Sequence, residues 1–330
     1  MNCVNIERFG PPAEVVSSAE RPLPAPGPGE VRVRMLLSPI HNHDLAIVRG
    51  VYGYRPELPA VPGTEALGRV DALGEGVRGL QIGQRVATAS TNGVWADYFV
   101  SVASKLVPVP DALSNEAACQ LLAMPLSALM LLEDLRVEPG QWLVQNAANG
   151  AVGKTLATLA HARGIHVVNL VRRDAALADL DAAGISNGVS TEQPGWQQRV
   201  TYITGGAPVV RAVESIGGDA AQQMMALLAE HGELVSFGSL TFKPLVISAE
   251  HLIFKQAAVK GFWGSKRLAA TAPAELARMI EDLGRLVASG TLKLAVDGVF
   301  DLHQAAQAMA AAERVGRTGK VLLRGGNHSP

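Results

Sequence analysis

The sequence has only two cysteines, Cys3 and Cys119, among its 330 residues. They exclude a disulfide framework and any zinc site built from four cysteines, and such scarcity is typical of a reducing compartment. The chain also lacks an excess of charge of one sign, with a net charge of −1 and a pI of about 6.7. Nucleic acid and anionic membranes favour a basic surface, so neither is expected as the main partner.

Long hydrophobic runs are lacking as well. The longest apolar stretch, 117–132, is interrupted by Gln120, Pro125 and Ser127, and it is shorter than the ~20 residues that a membrane span needs. It predicts a buried helix instead. The N-terminus has neither the basic start nor the apolar region of a signal peptide. We therefore expect a cytoplasmic protein with no membrane partner.

Aromatic residues make up only 5%, whereas glycine is abundant at 34 residues, a balance typical of an α/β protein with many tight turns. The first third predicts short strands separated by glycine turns, as in a partly closed antiparallel barrel. From residue 141 onwards strands alternate with helices, which predicts right-handed βαβ units and a parallel sheet. The predicted elements include strands at 31–36, 66–72, 85–89 and 96–100, helices at 151–163, 219–230 and 273–289, and a short strand near Leu294.

The simplest domain model is discontinuous. Residues 1–116 and 265–330 form one domain, and a Rossmann-type, doubly wound parallel sheet domain at 117–264 is inserted between them. We find no internal repeat and no low-complexity segment.

A glycine-rich turn carries the strongest chemical signal. The segment 143–153 follows a predicted strand and opens a predicted helix, which is the context that a dinucleotide-binding turn requires. Gly150 would let the backbone approach a pyrophosphate at the helix N-terminus, and Gly153 would allow close helix–strand packing. The segment departs from Gly-x-Gly-x-x-Gly at its early positions. The alternative is a packing turn of an α/β protein that binds no nucleotide.

Arg172 and Arg173 stand where an NAD-binding protein would carry an acidic residue for the ribose 2′-hydroxyl. Two guanidinium groups suit a 2′-phosphate, because each can form charge-assisted, bidentate hydrogen bonds. This favours NADPH over NADH. The alternative is a solvated arginine pair before a helix capped by Asp174.

Several segments together resemble the zinc-independent medium-chain dehydrogenase/reductases over essentially the whole chain. Within that family the sequence is most similar to the 2-enoyl thioester reductases, followed by the quinone oxidoreductases. The similar segments are Gly-Val-Tyr-Gly at 50–53, Glu-Leu-Pro-Ala-Val-Pro-Gly at 57–63, the turn at 145–153, Gly-Phe-Trp at 261–263 and Gly-Lys-Val-Leu at 319–322.

The resemblance implies a fold, a cofactor and a set of site residues. The domain outside the Rossmann insertion would be a GroES-like β-barrel catalytic domain. Tyr52 would be the catalytic tyrosine, with Tyr54 as a rival on the sequence alone. The strand at 257–262 would pair across a homodimer axis. The implied NADPH-binding residues are Ser127, Gly150, Ala151, Val152, Gly153, Arg172, Arg173, Phe237, Gly238, Ser239, Leu240, Phe262, Trp263 and Lys320.

Two positions depart from the enoyl reductases, since Met124 and His41 stand where asparagines are usual. Both are candidates, with Tyr54, for contact with a small-molecule substrate. A metal site at His41, His43 and Asp44 is the alternative to one histidine facing substrate and one hydrogen-bonded in a loop, with Asp44 capping the next helix. Gly-Thr-Glu at 63–65 replaces the Gly-His-Glu of zinc alcohol dehydrogenases, so no metal is expected.

These observations predict an NADPH-dependent reductase of activated C=C bonds, chiefly in 2-enoyl thioesters. Quinone reduction with the same cofactor is the first alternative. A non-catalytic NADPH-binding protein that acts in sensing or assembly is the second.

Overall fold

The computed structural model describes residues 1–326. It contains fifteen strands and twelve α-helices in this part of the chain. The strands are β1 Asn2–Ile6, β2 Val16–Glu20, β3 Glu30–Pro39, β4 Ala66–Leu73, β5 Arg85–Thr88, β6 Tyr98–Val102, β7 Val107–Pro108, β8 Trp142–Gln145, β9 His166–Val171, β10 Gly188–Ser190, β11 Val209–Glu214, β12 Leu228–Ser236, β13 Ala258–Gly261, β14 Val296–Asp301 and β15 Lys320–Arg324.

The helices are distributed along the whole described chain. They are α1 Pro12–Val15, α2 Asn42–Arg49, α3 Asn115–Ala118, α4 Met124–Leu135, α5 Ala151–Ala162, α6 Leu177–Ala182, α7 Trp196–Thr204, α8 Asp219–Leu227, α9 Ala249–Phe254, α10 Gly264–Ala269, α11 Pro273–Ala288 and α12 Ala305–Glu313, with short 3₁₀ turns at Ala103–Lys105, Asp174–Ala176 and Leu302–Gln304.

The chain divides into two compact units. The first comprises Met1–Ala123 and the chain from Gly284 onwards, and the second comprises Met124–Leu283. A compact unit need not coincide with a family domain, so the predicted domain boundaries at 116/117 and 264/265 stay a prediction.

The first unit is built on a seven-stranded sheet. Its order is β14-β15-β3-β4-β5-β7, and β6 also pairs with β3. All pairs are antiparallel except β14 with β15. In β3, Val31, Val33 and Met35 are buried and alternate with half-buried residues, as the period of two in the sequence predicts.

The second unit is a six-stranded, wholly parallel sheet with the order β10-β9-β8-β11-β12-β13. The run of strands and helices from β8 onwards is the doubly wound arrangement that the sequence predicts, so the α/β fold class with a Rossmann-type sheet is confirmed. Apolar residues of β8, β9, β11 and β12 form its core with Met224 and Met225 of α8.

Three sequence predictions differ from the structure. The apolar stretch at 117–132 is divided between the end of α3 and most of α4, and Pro125 lies in the first turn of α4, where its missing N–H breaks no hydrogen bond of the helix. The helix predicted at 219–230 ends at Leu227, since strand β12 begins at Leu228. The strand predicted near Leu294 lies at Val296–Asp301, where parallel pairing with β15 fixes its position.

Within the described chain, none of the helices combines the length and the apolar character that crossing a membrane requires.

Candidate functional site

Most of the predicted cofactor residues lie at the carboxyl edge of the parallel sheet in the second unit. The strand order runs outward from β8 to β9 and β10, and β11 lies on the other side of β8. Ligands of open α/β sheets bind at such a switch point, outside the carboxyl ends of the strands. Two polar side chains join the strands there. Asn146 donates to Glu214 Oε1 at 3.0 Å, and its own Oδ1 accepts the Ser215 N–H at 2.8 Å.

The predicted glycine turn lies between β8 and α5. Gly150 is the N-cap of the twelve-residue helix α5, whose first N–H groups have no partner within the helix and form a ready anion site. A Cβ on Gly153 would come within 2.7 Å of the Ala148 backbone, so only glycine allows the helix to start this close to the turn. The turn thus has the shape and the donors that a pyrophosphate requires.

Arg172 and Arg173 directly follow β9, and both side chains are exposed. Neither forms a hydrogen bond or an ion pair with any residue in 1–326. Of the alternative, the solvated arginine pair is observed, whereas Asp174 does not cap the helix. The Asp174 carboxylate accepts from Gln193, and the Asp174 N–H donates to Glu192 Oε2 at 2.8 Å. Both guanidinium groups therefore remain available for a phosphate.

A groove runs beside Arg172. Its walls combine apolar side chains with a few polar ones, as in a nucleoside site. The lining residues are Asn146, Leu170, Val171, Arg172, Thr191, Trp196, Ile216, Ala220, Gln223 and Met224. Such a lining beside an unpaired arginine favours an adenosine with a phosphate on its ribose, and this assignment stays a prediction.

The remaining predicted cofactor residues of this unit lie at three places, directly after β12, directly after β13 and in the first turn of α4. Phe237, which is followed by Gly238, Ser239 and Leu240, comes directly after β12, and Phe262 and Trp263 come directly after β13. The rings of Phe237 and Phe262 stack with centroids 5.8 Å apart. Met124 and Ser127 lie in the first turn of α4, and a Cβ on Gly264 would be 2.7 Å from Ser127 Oγ.

Tyr52 and Tyr54 of the first unit follow helix α2 in an irregular turn. Gly50 ends the helix with a φ of +72°, a left-handed conformation that glycine adopts without strain. Tyr52 is half-buried, and its ring centroid lies 5.7 Å from that of His43. Tyr54 is 40% exposed. Of the two rivals, Tyr52 is the one placed against other polar side chains.

His41 is fully buried, and its Nε2 lies 2.7 Å from Glu65 Oε2. The other oxygen of Glu65 accepts the N–H groups of Leu122 and Ala123, each at 2.7 Å. Burial raises the pKa of Glu65 to about 8 and lowers the pKa of His41 well below its usual range. Burial thus favours the uncharged form of each group. The contact of His41 with substrate stays a prediction.

His43 and Asp44 are joined through Thr64. His43 Nε2 lies 2.7 Å from Thr64 Oγ1, and Thr64 donates to Asp44 Oδ1 at 2.8 Å. The other Asp44 oxygen accepts the His41 N–H at 2.8 Å and closes a capping box at the start of α2. A Cβ on Gly63 would overlap the Trp95 ring, so glycine is required just before Thr64. Asp44 therefore caps helix α2, as the alternative without a metal site expects.

Lys320, at the start of β15, is 9% exposed. Burial and the nearby Arg317 lower the pKa of Lys320 to about 8, while Asp44 and Glu65 oppose that shift. The Lys320 ammonium in turn lowers the pKa of both His41 and His43. Its predicted role at the cofactor stays a prediction.

Sequence reasoning missed Glu65 and Thr64 as partners of the two histidines, and Asn146 and Glu214 at the switch point. Asn146 directly precedes the glycine turn, and Glu214 ends a strand before Gly217 and Gly218. A polar residue at the end of a buried parallel strand is the signal that could have identified both. No comparable signal pairs Thr64 with His43.

Comparisons with known proteins agree with this architecture. Residues 27–111 match the alcohol dehydrogenase GroES-like domain, and residues 151–285 match the model described as zinc-binding dehydrogenase. The human mitochondrial enoyl-[acyl-carrier-protein] reductase is 31% identical over 320 residues, which cover 95% of this chain and 86% of that protein. The Arabidopsis thaliana enzyme of the same name is 33% identical over 294 residues, or 87% of this chain and 78% of that protein.

The chain belongs to the medium-chain dehydrogenase/reductase superfamily. Its fold is shared by Escherichia coli quinone oxidoreductase complexed with NADPH, with a TM-score of 0.90, 26% identity and coverage of 98% of this chain and 100% of that one. A Pseudomonas syringae quinone oxidoreductase aligns with a TM-score of 0.87 at 26% identity over 98% and 99% of the two chains. The predicted superfamily and its GroES-like and Rossmann-type architecture are confirmed.

One of the two matched models names zinc in its description. Within residues 1–326, no three His, Cys, Asp or Glu side chains come together as possible metal ligands. His41 Nε2 faces Glu65, and His43 Nε2 faces Thr64. The donor chemistry of these residues therefore does not fit a zinc ion.

Proposed function

We propose that this protein is an NADPH-dependent reductase of α,β-unsaturated carbonyl compounds, with 2-enoyl thioesters as the preferred substrates. The observation that carries the proposal is the similarity to enoyl-[acyl-carrier-protein] reductases across 95% of the chain. The unpaired Arg172 and Arg173 beside an apolar groove support NADPH as the cofactor. The proposal includes zinc independence, because the donor set of this chain does not suit the ion.

Each part of the chain has a defined task in this reaction. Bound NADPH supplies a hydride to the β-carbon of the alkene. The first turn of α5 and the two arginines bind and orient the dinucleotide. Hydride addition places negative charge on the carbonyl oxygen of the substrate, and hydrogen-bond donors stabilise such an enolate. Tyr52 donates its phenolic proton to the α-carbon or a hydrogen bond to the oxygen.

A substrate panel tests the function directly. NADPH oxidation is followed with crotonyl coenzyme A, a simple enone and 1,4-benzoquinone, and the products are identified by mass spectrometry. We expect the largest kcat/KM with the thioester and butyryl coenzyme A as its product. Turnover of the quinone alone would replace the proposal with quinone reduction, the second candidate, which the fold shared with the E. coli quinone oxidoreductase favours.

A second copy of this chain is the proposed protein partner, and β13 is the proposed contact. This strand lies at the edge of the six-stranded sheet and pairs only with β12 among the described strands. Its residues are mostly exposed, and the preceding helix α9 exposes Ile253 by 59% and Phe254 by 75%. An open strand edge beside exposed apolar residues favours association.

The proposed dimer predicts the mass of the protein in solution. Light scattering after size exclusion should give twice the 34.6 kDa of one chain. Phe254→Asp should shift the protein to the monomer, because a carboxylate would be buried unpaired in the interface. Tyr202→Asp is the matched control, since Tyr202 is a 76% exposed aromatic on α7. A monomeric wild type, or equal effects of both substitutions, would refute the proposed interface.

A cytoplasmic location without nucleic-acid or membrane partners is part of the proposal. It is supported by the near-neutral charge and the scarcity of cysteine. The curated relatives named above are mitochondrial proteins, so fractionation of cells expressing the native gene decides between the two compartments.

A further inference from the structure

A short polar chain beside Tyr52 has no part in the mechanism described so far. It runs from the carboxylate of Asp44 through the hydroxyl of Thr64 to the imidazole of His43. Thr64 Oγ1 donates to Asp44 Oδ1 at 2.8 Å. A hydroxyl has one proton, so the same oxygen can only accept from His43 Nε2, which lies 2.7 Å away.

The hydrogen bonds from His43 to Thr64 and from Thr64 to Asp44 fix the tautomer of His43. Its Nε2 carries the proton, and the lone pair of the neutral ring is therefore on Nδ1. Asp44 cannot turn away, because its second oxygen accepts the His41 N–H at 2.8 Å and its side chain is fully buried. The orientation of His43 is therefore set by residues that the fold itself holds in place.

Two other rings lie close to that of His43. The His41 ring stacks on it at 4.9 Å, and the Tyr52 ring lies 5.7 Å away at an angle of 31°. The His43 side chain keeps 22% of its surface exposed. It thus lies beside the proposed proton donor and remains partly exposed to solvent.

The charged and titratable groups around His43 are His41, Asp44, Tyr52 and Lys320. Burial lowers the pKa of His43, as does Lys320, whereas Asp44 raises it. The ring is consequently neutral at neutral pH and becomes protonated on Nδ1 only transiently. An imidazolium is a stronger acid than a phenol, so a protonated His43 would give its proton to a phenolate.

We propose that His43 is a positioning and proton-relay residue that reprotonates Tyr52, with Thr64 and Asp44 holding its Nδ1 ready for that transfer. The inference rests on the proposed function. When the Tyr52 O–H bond breaks and a C–H bond forms at the α-carbon, a phenolate remains. A solvent acid, hydronium or a buffer acid, first protonates His43 Nδ1 and leaves water or its conjugate base behind. The imidazolium then gives that proton to the phenolate and returns to its neutral form.

The first test needs neither cofactor nor substrate. Nitrogen-15 NMR of histidine-labelled protein, with the signals assigned through His43→Gln, should show the Nε2–H tautomer for His43 at neutral pH. Thr64→Val removes the acceptor and should produce a mixture of both tautomers. A dominant Nδ1–H form in the wild type would overturn the inference.

The second test is kinetic. His43→Ala should lower kcat for crotonyl coenzyme A about 10²-fold, the low end of a lost proton-transfer group, and leave the Kd for NADPH unchanged. Free imidazole should restore part of the rate, and the solvent isotope effect on kcat should rise as reprotonation becomes limiting. The matched control is His303→Ala, an exposed histidine of the same unit, for which no change is expected.

The outcomes separate the relay from the function itself. If the wild type reduces the thioester and Tyr52→Phe impairs it while His43→Ala does not, the relay alone is refuted. A loss in His43→Ala that imidazole does not rescue, at an unchanged isotope effect, would make His43 a packing residue. If His43→Ala does not fold, Thr64→Val serves in the same assay with a smaller expected loss. A wild type inactive on every thioester would overturn both proposals.

Discussion

Replacing Arg172 and Arg173 together with alanine is expected to weaken NADPH binding about 10²-fold and to leave NADH binding within a factor of about three. Each charge-assisted hydrogen bond to a 2′-phosphate contributes roughly 1.5–3 kcal/mol. The two side chains are exposed, so screening by water and salt keeps their joint effect near the lower end of that range. Fluorescence titration with each dinucleotide measures the two Kd values.

A matched arginine and the salt dependence sharpen this test. Arg199 on α7 is also exposed, with its guanidinium over the Tyr202 ring at 5.1 Å, and Arg199→Ala should change neither Kd. The wild-type Kd for NADPH should rise with salt more steeply than that for NADH, since only the former involves the extra phosphate. Equal weakening of both cofactors in the double variant would refute the assignment of these arginines to the 2′-phosphate.

The cofactor half of the protein was predictable because its signals are local. Buried parallel strands read as short apolar runs, glycines end the intervening helices, and the 143–153 turn follows a strand directly. The positions of Arg172 and Arg173 then follow from counting along one βαβ unit. These features need no contact between distant residues. Strands β8 and β9 therefore lie within one residue of the strands that the sequence predicts at 142–146 and 165–171, and α5 lies within one residue of the predicted helix at 151–163.

The polar groups of the first unit were not predictable in the same way. His41 meets Glu65 and His43 meets Thr64 across separations of 24 and 21 residues. Such pairs depend on how β3, α2 and the segment before β4 fold together, and no periodicity encodes that. The sequence favoured hydrogen bonds over a metal site for the two histidines, but it identified neither Glu65 nor Thr64 as their partners.

The boundaries that shifted have tertiary causes as well. Residues 228–230 continue a helical pattern, yet Leu228 begins β12 because it pairs with Val209 of β11. The last strands likewise follow their partners, as β14 aligns with β15 from Val296 onwards. Strand pairing overrides local propensity at such junctions.

Replacing Tyr52 with phenylalanine is expected to lower kcat for crotonyl coenzyme A by about 10²-fold or more, because the change removes a positioned proton donor while keeping the ring that lies against His43. The Kd for NADPH should be unaltered, because the substitution leaves the ring in place and removes only the hydroxyl. Reduction of 1,4-benzoquinone should persist, since it needs no proton delivered to carbon.

Two other tyrosines make the experiment decisive. Tyr202 lies on α7 and is 76% exposed, so Tyr202→Phe should leave kcat unchanged with both crotonyl coenzyme A and 1,4-benzoquinone. Tyr54, two positions from Tyr52, is the rival, and a loss confined to Tyr54→Phe would transfer the catalytic role to it. Unchanged thioester reduction in both Tyr52→Phe and Tyr54→Phe would mean that the α-carbon takes its proton from another donor, and the relay through His43 would then lose its acceptor.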